Sequence, residues 1–139
     1  MDKNKKIVML LFCGMVVCVF SGCVTQSPGL VGTTWKLDSY GREVMLSALP
    51  DVDTYITFGK DGQVGGSMGC NHFGGGYSVS GDKIIFGSLA VTEMYCNDTR
   101  IMGQEATVLG YLTGEKTFMI VGDVLTISGS DGSVVFKIK

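Results

Sequence analysis

Half of the twelve residues from Gly65 to Gly76 are glycine, in the run Gly-Gly-Ser-Met-Gly-Cys-Asn-His-Phe-Gly-Gly-Gly. Glycine weakens the interior of a strand or helix. Such density therefore marks backbone that takes positive φ or passes close to another segment. The stretch runs on to Cys96 in Thr92-Glu93-Met94-Tyr95-Cys96, with Cys70 near its start and Cys96 at its end.

The chain before this stretch divides at Cys23. Lys3, Lys5 and Lys6 precede Ile7 to Phe20, an uncharged apolar run of 14 residues. That length suits a signal peptide and falls short of the roughly 20 residues of a membrane-spanning helix. Phe20-Ser21-Gly22-Cys23 follows. Small residues before a cysteine resemble the lipobox of prokaryotic lipoproteins, although Phe20 stands where Leu is more usual. The expected organisation is a signal peptide over 1–22, a lipidated tether over 23–29 and one folded domain over 30–139. Cys23 is the expected lipidation site, and its acyl chains would attach the protein to a membrane of the cell envelope on the extracytoplasmic side.

Without residues 1–22 the chain has 117 residues, enough for one core. It keeps 8 Lys and Arg against 12 Asp and Glu, a side-chain charge of −4. A mildly acidic surface without a basic cluster argues against nucleic acid and gives no polybasic patch for anionic lipid.

Of five cysteines, Cys13 and Cys18 leave with the leader and Cys23 takes lipid, so Cys70 and Cys96 remain. An even pair in an exported chain reads first as a disulfide. Closing a loop of 25 residues would be worth roughly 3 kcal/mol in the chain-entropy model. The alternatives are two buried free thiols, or a metal site that adds His72, for which spacing suggests no fourth ligand.

Periodicity places the elements. Trp35 and Leu37 alternate with Thr34, Lys36 and Asp38 as in a half-buried strand, with Trp35 a core anchor. Residues 42–53 read as irregular. Residues 54–58 form a strand, and Gly59-Lys60-Asp61-Gly62 turns into its partner. Residues 73–79 and 83–86 pair through Ser80-Gly81-Asp82, and residues 89–95 form a further strand. Asn97 or Asp98 starts a helix over about Thr99 to Leu112, where Ile101, Glu105, Val108, Leu109 and Leu112 keep helical spacing. Gly103 and Gly110 weaken it and Gly114 ends it. Glu105 sits on or beside the apolar stripe and reads as a hydrogen-bonded structural acid, with a buried functional acid as the alternative. Residues 116–138 complete an antiparallel meander. The expected fold is α+β and mainly antiparallel: a curled, half-open, barrel-like sheet of about eight strands with the helix across its open side.

Gly69-Cys70-Asn71, Phe73 with Gly74 and Gly75, Tyr77, the Gly81-Asp82 turn and Thr92-Glu93-Met94-Tyr95-Cys96 together resemble the META domain (HslJ-like) family. Glu105, the Asp131-Gly132 turn and Trp35 fit the same resemblance, which covers about residues 30–138. It implies a partly open barrel crossed by one helix and a role in envelope stress tolerance without defined chemistry. It also makes Asn71, Thr92 and Met94 motif or binding positions, with Thr92 and Met94 turned inward and Glu93 outward. The residues themselves give Asn71 a turn-capping role, with a ligand-binding amide as the alternative.

No phosphate-cradling loop or triad spacing occurs, and a Cys70–His72 nucleophile pair is opposed by the disulfide reading. The expected protein is therefore a non-enzymatic, monomeric binding or structural module with no cofactor. Its expected partners are the membrane and a protein or apolar ligand. Two other readings are a carrier or chaperone holding an apolar molecule in the barrel mouth, and a thiol or metal enzyme using Cys70, His72 and Cys96.

Overall fold

Strands of alternating burial make up most of the computed structural model, which describes residues 29–139. The leader and Cys23 lie outside the described residues. The strands are β1 (Thr34–Gly41), β2 (Met45–Ser47), β3 (Tyr55–Phe58), β4 (Gln63–Ser67), β5 (His72–Ser80) and β6 (Lys83–Val91), followed by helix α1 (Thr99–Tyr111). Then come β7 (Gly114–Val121), β8 (Val124–Gly129) and β9 (Gly132–Ile138).

All pairings are antiparallel between neighbours in the chain, except where β1 ties the sheet together. β1 pairs with β9 along nearly its whole length, from Trp35 opposite Ile138 to Gly41 opposite Ser133. Its other side pairs first with β3 and then, beyond a bulge after Leu37, with the short β2. Eight strands, β1 and β3 to β9, thus close into a barrel, with β2 appended.

Twist and closure bring one face of the barrel strands inward. Trp35, Ile56, Phe58, Met68, Ile84, Leu125, Ile127, Val134 and Phe136 are buried in the interior. Trp35 is the anchor expected from the sequence: it is wholly buried and its Nε1–H donates to the Leu30 carbonyl at 3.3 Å. These side chains form one packed cluster inside the barrel.

Pairing between β6 and β7 is partial. Only Lys83–Phe86 of β6 pairs with Gly114–Thr117 of β7. The rest of β6 pairs with β5 alone, and α1 packs over the β4–β5 crossing with Gln104, Glu105 and Val108 buried. Asp98, not Asn97, caps the helix: its carboxylate accepts the Arg100 N–H at 2.9 Å. Gly114 follows at φ +62 and begins β7, two residues earlier than periodicity suggested.

Two further differences from the sequence expectations have local causes. Residues 42–53 contain β2, too short to show a period. Residues 83–86 and 89–95 are not two strands but one, β6, which ends at Val91. A register shift opposite Gly76 absorbs Gly87 and Ser88. Such a shift carries a strand through a change of side-chain phase, which a sequence pattern registers as a break.

Candidate functional site

Between β4 and β5 the chain crosses from Met68 to Asn71 beneath α1 with no ladder partner. Backbone N–H and C=O groups buried there need partners from elsewhere. Helix α1 supplies them from two consecutive polar residues on its buried face. Glu105 Oε2 accepts the N–H of Cys70 at 3.1 Å and of Asn71 at 2.6 Å. Gln104 Nε2 donates to the Met68 carbonyl at 3.3 Å, while its Oε1 accepts the Leu49 N–H at 2.8 Å. Gly69, at φ +144, lets this crossing fit: a Cβ there would run into the Ile101 side chain of the helix.

Asn71 carries the connection onward. Its Nδ2 donates to Glu105 Oε1 at 2.7 Å and to the Met94 carbonyl at 3.4 Å. Its Oδ1 accepts the Thr92 hydroxyl at 2.8 Å and the Met94 N–H at 2.7 Å. Thr92 Oγ1 in turn accepts the His72 N–H at 3.1 Å. Cys70 and Cys96 are joined by a disulfide with Cα atoms 6.2 Å apart. One polar clasp and one covalent bond therefore lock three segments together: the glycine-rich crossing, the chain from Thr92 to Cys96, and α1.

The geometry replaces both readings of Asn71. A primary amide has two donors and two acceptor lone pairs, and all four are used inside the clasp. Asn71 is neither a local turn cap nor a free ligand-binding amide but a long-range bracket. Thr92 acts through its hydroxyl although the residue is exposed. Met94 does not turn inward as expected; its side chain is 59% exposed, and its contribution is its backbone N–H and C=O. Its motif position reflects a main-chain role, which side-chain periodicity cannot report. Glu93 is exposed, as expected.

His72 is exposed, and among the described residues its ring has no hydrogen bond. Among the described residues no group of three or more His, Cys, Asp and Glu side chains could hold a metal ion. Gln104 is the clasp residue that the sequence reading passed over. Its signal is its place four residues before the buried Val108, on the face that periodicity assigns to the core. Lys116 is similarly hidden: it lies buried in the meander with its Nζ 2.9 Å from both Asp131 carboxylate oxygens, and the bond holds the Asp131 carboxyl below its ordinary range.

The family model described as META domain matches residues 28–139. The chain belongs to the META domain family. Two solved structures share the fold. A solution structure of a protein from Burkholderia xenovorans superposes with a TM-score of 0.66 at 20% identity, covering 79% of this chain and 83% of the other. A second solution structure gives 0.62 at 22% identity, covering 76% and 88% respectively. No curated protein matches in sequence. In this META domain the Gly-Cys-Asn and Thr-x-Met-x-Cys elements are thus the two sides of a single structural clasp, closed by the helix glutamate.

Proposed function

We propose that this META-domain protein is a lipid-anchored component of the cell envelope, a non-enzymatic binding or structural module serving envelope stress tolerance. The observation that carries this reading is the Cys70–Cys96 disulfide. A disulfide suits an oxidising, exported location, and the sequence begins with a leader-like segment that ends in Phe20-Ser21-Gly22-Cys23. The non-enzymatic reading is supported by the use made of the reactive residue types. Both remaining cysteines are spent in the disulfide, Glu105 and Asn71 in the clasp, and the exposed His72 has no orienting partner among the described residues.

The test is the intact mass of the protein extracted from its native membrane, with thiol alkylation before and after reduction. The expected result is a diacylated chain that starts at Cys23 and takes up alkyl groups at Cys70 and Cys96 only once reduced. An unlipidated soluble chain with both thiols free would overturn the proposal.

A further inference from the structure

The end of β6 from Leu89 to Val91, continued by the clasped segment Thr92 to Tyr95, presents an open edge. In an antiparallel ladder successive residues turn their amide groups alternately to the two sides. Thr92 N–H donates to the His72 carbonyl at 3.0 Å, which sets the alternation, and the Met94 N–H on Asn71 continues it. Ala90, Thr92 and Met94 therefore face β5. Leu89, Val91, Glu93 and Tyr95 turn their N–H and C=O groups the other way. β7 occupies that side only as far as Phe86, and among the described residues nothing further along bonds to those four.

Natural edges are guarded by lysine, proline or a covering element. Residues 84–96 contain no lysine, arginine or proline, and Glu93 is their only charge. Val91 and Tyr95 are 40% and 82% exposed, so α1 does not cover the edge. Leu89 lies opposite Gly75, and Val91 lies opposite the buried Phe73, which places both side chains on the core face. On that face a groove of about 550 Å³ opens between Phe86, Leu89 and Leu109. The disulfide and the clasp hold the far end of the edge in place, so an incoming strand would meet a fixed segment.

We propose that the Leu89–Tyr95 edge binds an extended peptide segment of a partner protein by strand addition. An apolar side chain of that segment enters the Phe86–Leu89–Leu109 groove, and a basic one stands opposite Glu93. Main-chain hydrogen bonds supply affinity in this mode, and alternate side chains supply selectivity. Seven residues make a strip roughly 24 Å long and about 10 Å wide, far short of the ~800 Å² per partner typical of stable pairs of folded proteins. That area suits a peptide better than a second folded copy, and pairing two copies would also set both Glu93 carboxylates on one short strip.

The experiment uses the full chain in lipid nanodiscs and a fluorescent blocked heptapeptide, Thr-Thr-Lys-Thr-Val-Thr-Leu. Run antiparallel, it sets Lys opposite Glu93, Val opposite Val91 and Leu opposite Leu89. N-methylation of the peptide Val, whose amide faces the protein, is expected to weaken binding about tenfold or more, and of the central Thr, whose amide faces away, by less than about twofold. Glu93→Lys should transfer the preference to a peptide with Glu in place of Lys, and Val91→Pro should abolish binding. The proposal is overturned by equal sensitivity to the two methylations, or by no binding at about 1 mM peptide. Self-association of the chain, removed by Val91→Pro in sedimentation velocity, would give the edge to a second copy and likewise overturn the peptide partner.

Discussion

Asn71 and Glu105, 34 residues apart in the chain, are joined by two hydrogen bonds: Nδ2 to Oε1 at 2.7 Å and main-chain N–H to Oε2 at 2.6 Å. The pair fastens the helix to the glycine-rich crossing. The other end of the Asn71 amide holds Thr92 and Met94, so one side chain faces a carboxylate on one side and donors on the other. Only an amide satisfies both at once.

Removing the carboxylate leaves the N–H groups of Cys70 and Asn71 without their acceptor and the Asn71 amide with only the Met94 carbonyl. Glu105→Ala is expected to lower stability by about 3 kcal/mol, and Glu105→Gln by about half as much, since Gln keeps one acceptor oxygen. Urea unfolding followed by Trp35 fluorescence measures both. An alanine variant within about 0.5 kcal/mol of the parent would show that the clasp is dispensable.

Asn71→Asp keeps the shape and replaces the donor to Glu105 by a second carboxylate. Like charges at this distance raise the pair's affinity for a proton in the folded chain, while the unfolded carboxyls stay near ~4. The folded state then binds more protons than the unfolded one, so the variant gains stability as pH falls from 7 toward about 5. A thermal midpoint that does not rise over this interval relative to the parent would contradict the assigned contact.

Asp98 titrates with the opposite sign. Its side-chain and main-chain hydrogen bonds from Arg100 hold its carboxyl down from 3.8 to about 2. A carboxyl lowered in the folded state stabilises fully above its unfolded value, and the contribution disappears as pH falls through the folded one. Asp98→Asn should therefore flatten the loss of stability between pH 4 and 2, read as the shift of the urea midpoint. An unchanged slope would remove Asp98 from the acid response.

Glycines of the same chain should respond in opposite directions. Added Cβ atoms at Gly103 and Gly110 of α1 meet open space, so alanine there should stabilise the protein by up to about 1 kcal/mol each. At Gly66 a Cβ would collide with the Tyr55 carbonyl across the β3–β4 pair, and Gly66→Ala should prevent tight pairing of those strands. Calorimetric midpoints separate the two classes; a stabilised Gly66→Ala would refute the close approach.

Much of this architecture could be read from short stretches. Strand alternation in Trp35-Lys36-Leu37, the Asp61-Gly62 and Asp131-Gly132 turns, and the stripe from Ile101 to Leu112 depend on residues a few positions apart, where backbone preference and side-chain phase act directly. The Cys70–Cys96 pair was accessible by counting cysteines. The candidate site was only half visible. Asn71, Thr92 and Met94 stood out as a motif and Glu105 as an acid on an apolar stripe, yet nothing local says that they meet. Gln104 shows only its place on the helix face that also carries Val108, and nothing local names its partners Leu49 and Met68.

Most of the strand and turn pattern and the body of the helix follow from the chain read in order, because each rests on covalent neighbours; the choice of Asp98 over Asn97 as cap comes from the structure. Which acceptor receives the Cys70 and Asn71 amides does not follow from that order. Nor does the outward turn of Met94, the closure of β1 on β9, or the stretch of β6 that β7 leaves unpaired. Those outcomes depend on which buried polar groups find partners when distant segments pack together, and a buried donor takes the acceptor that the packed barrel brings within reach.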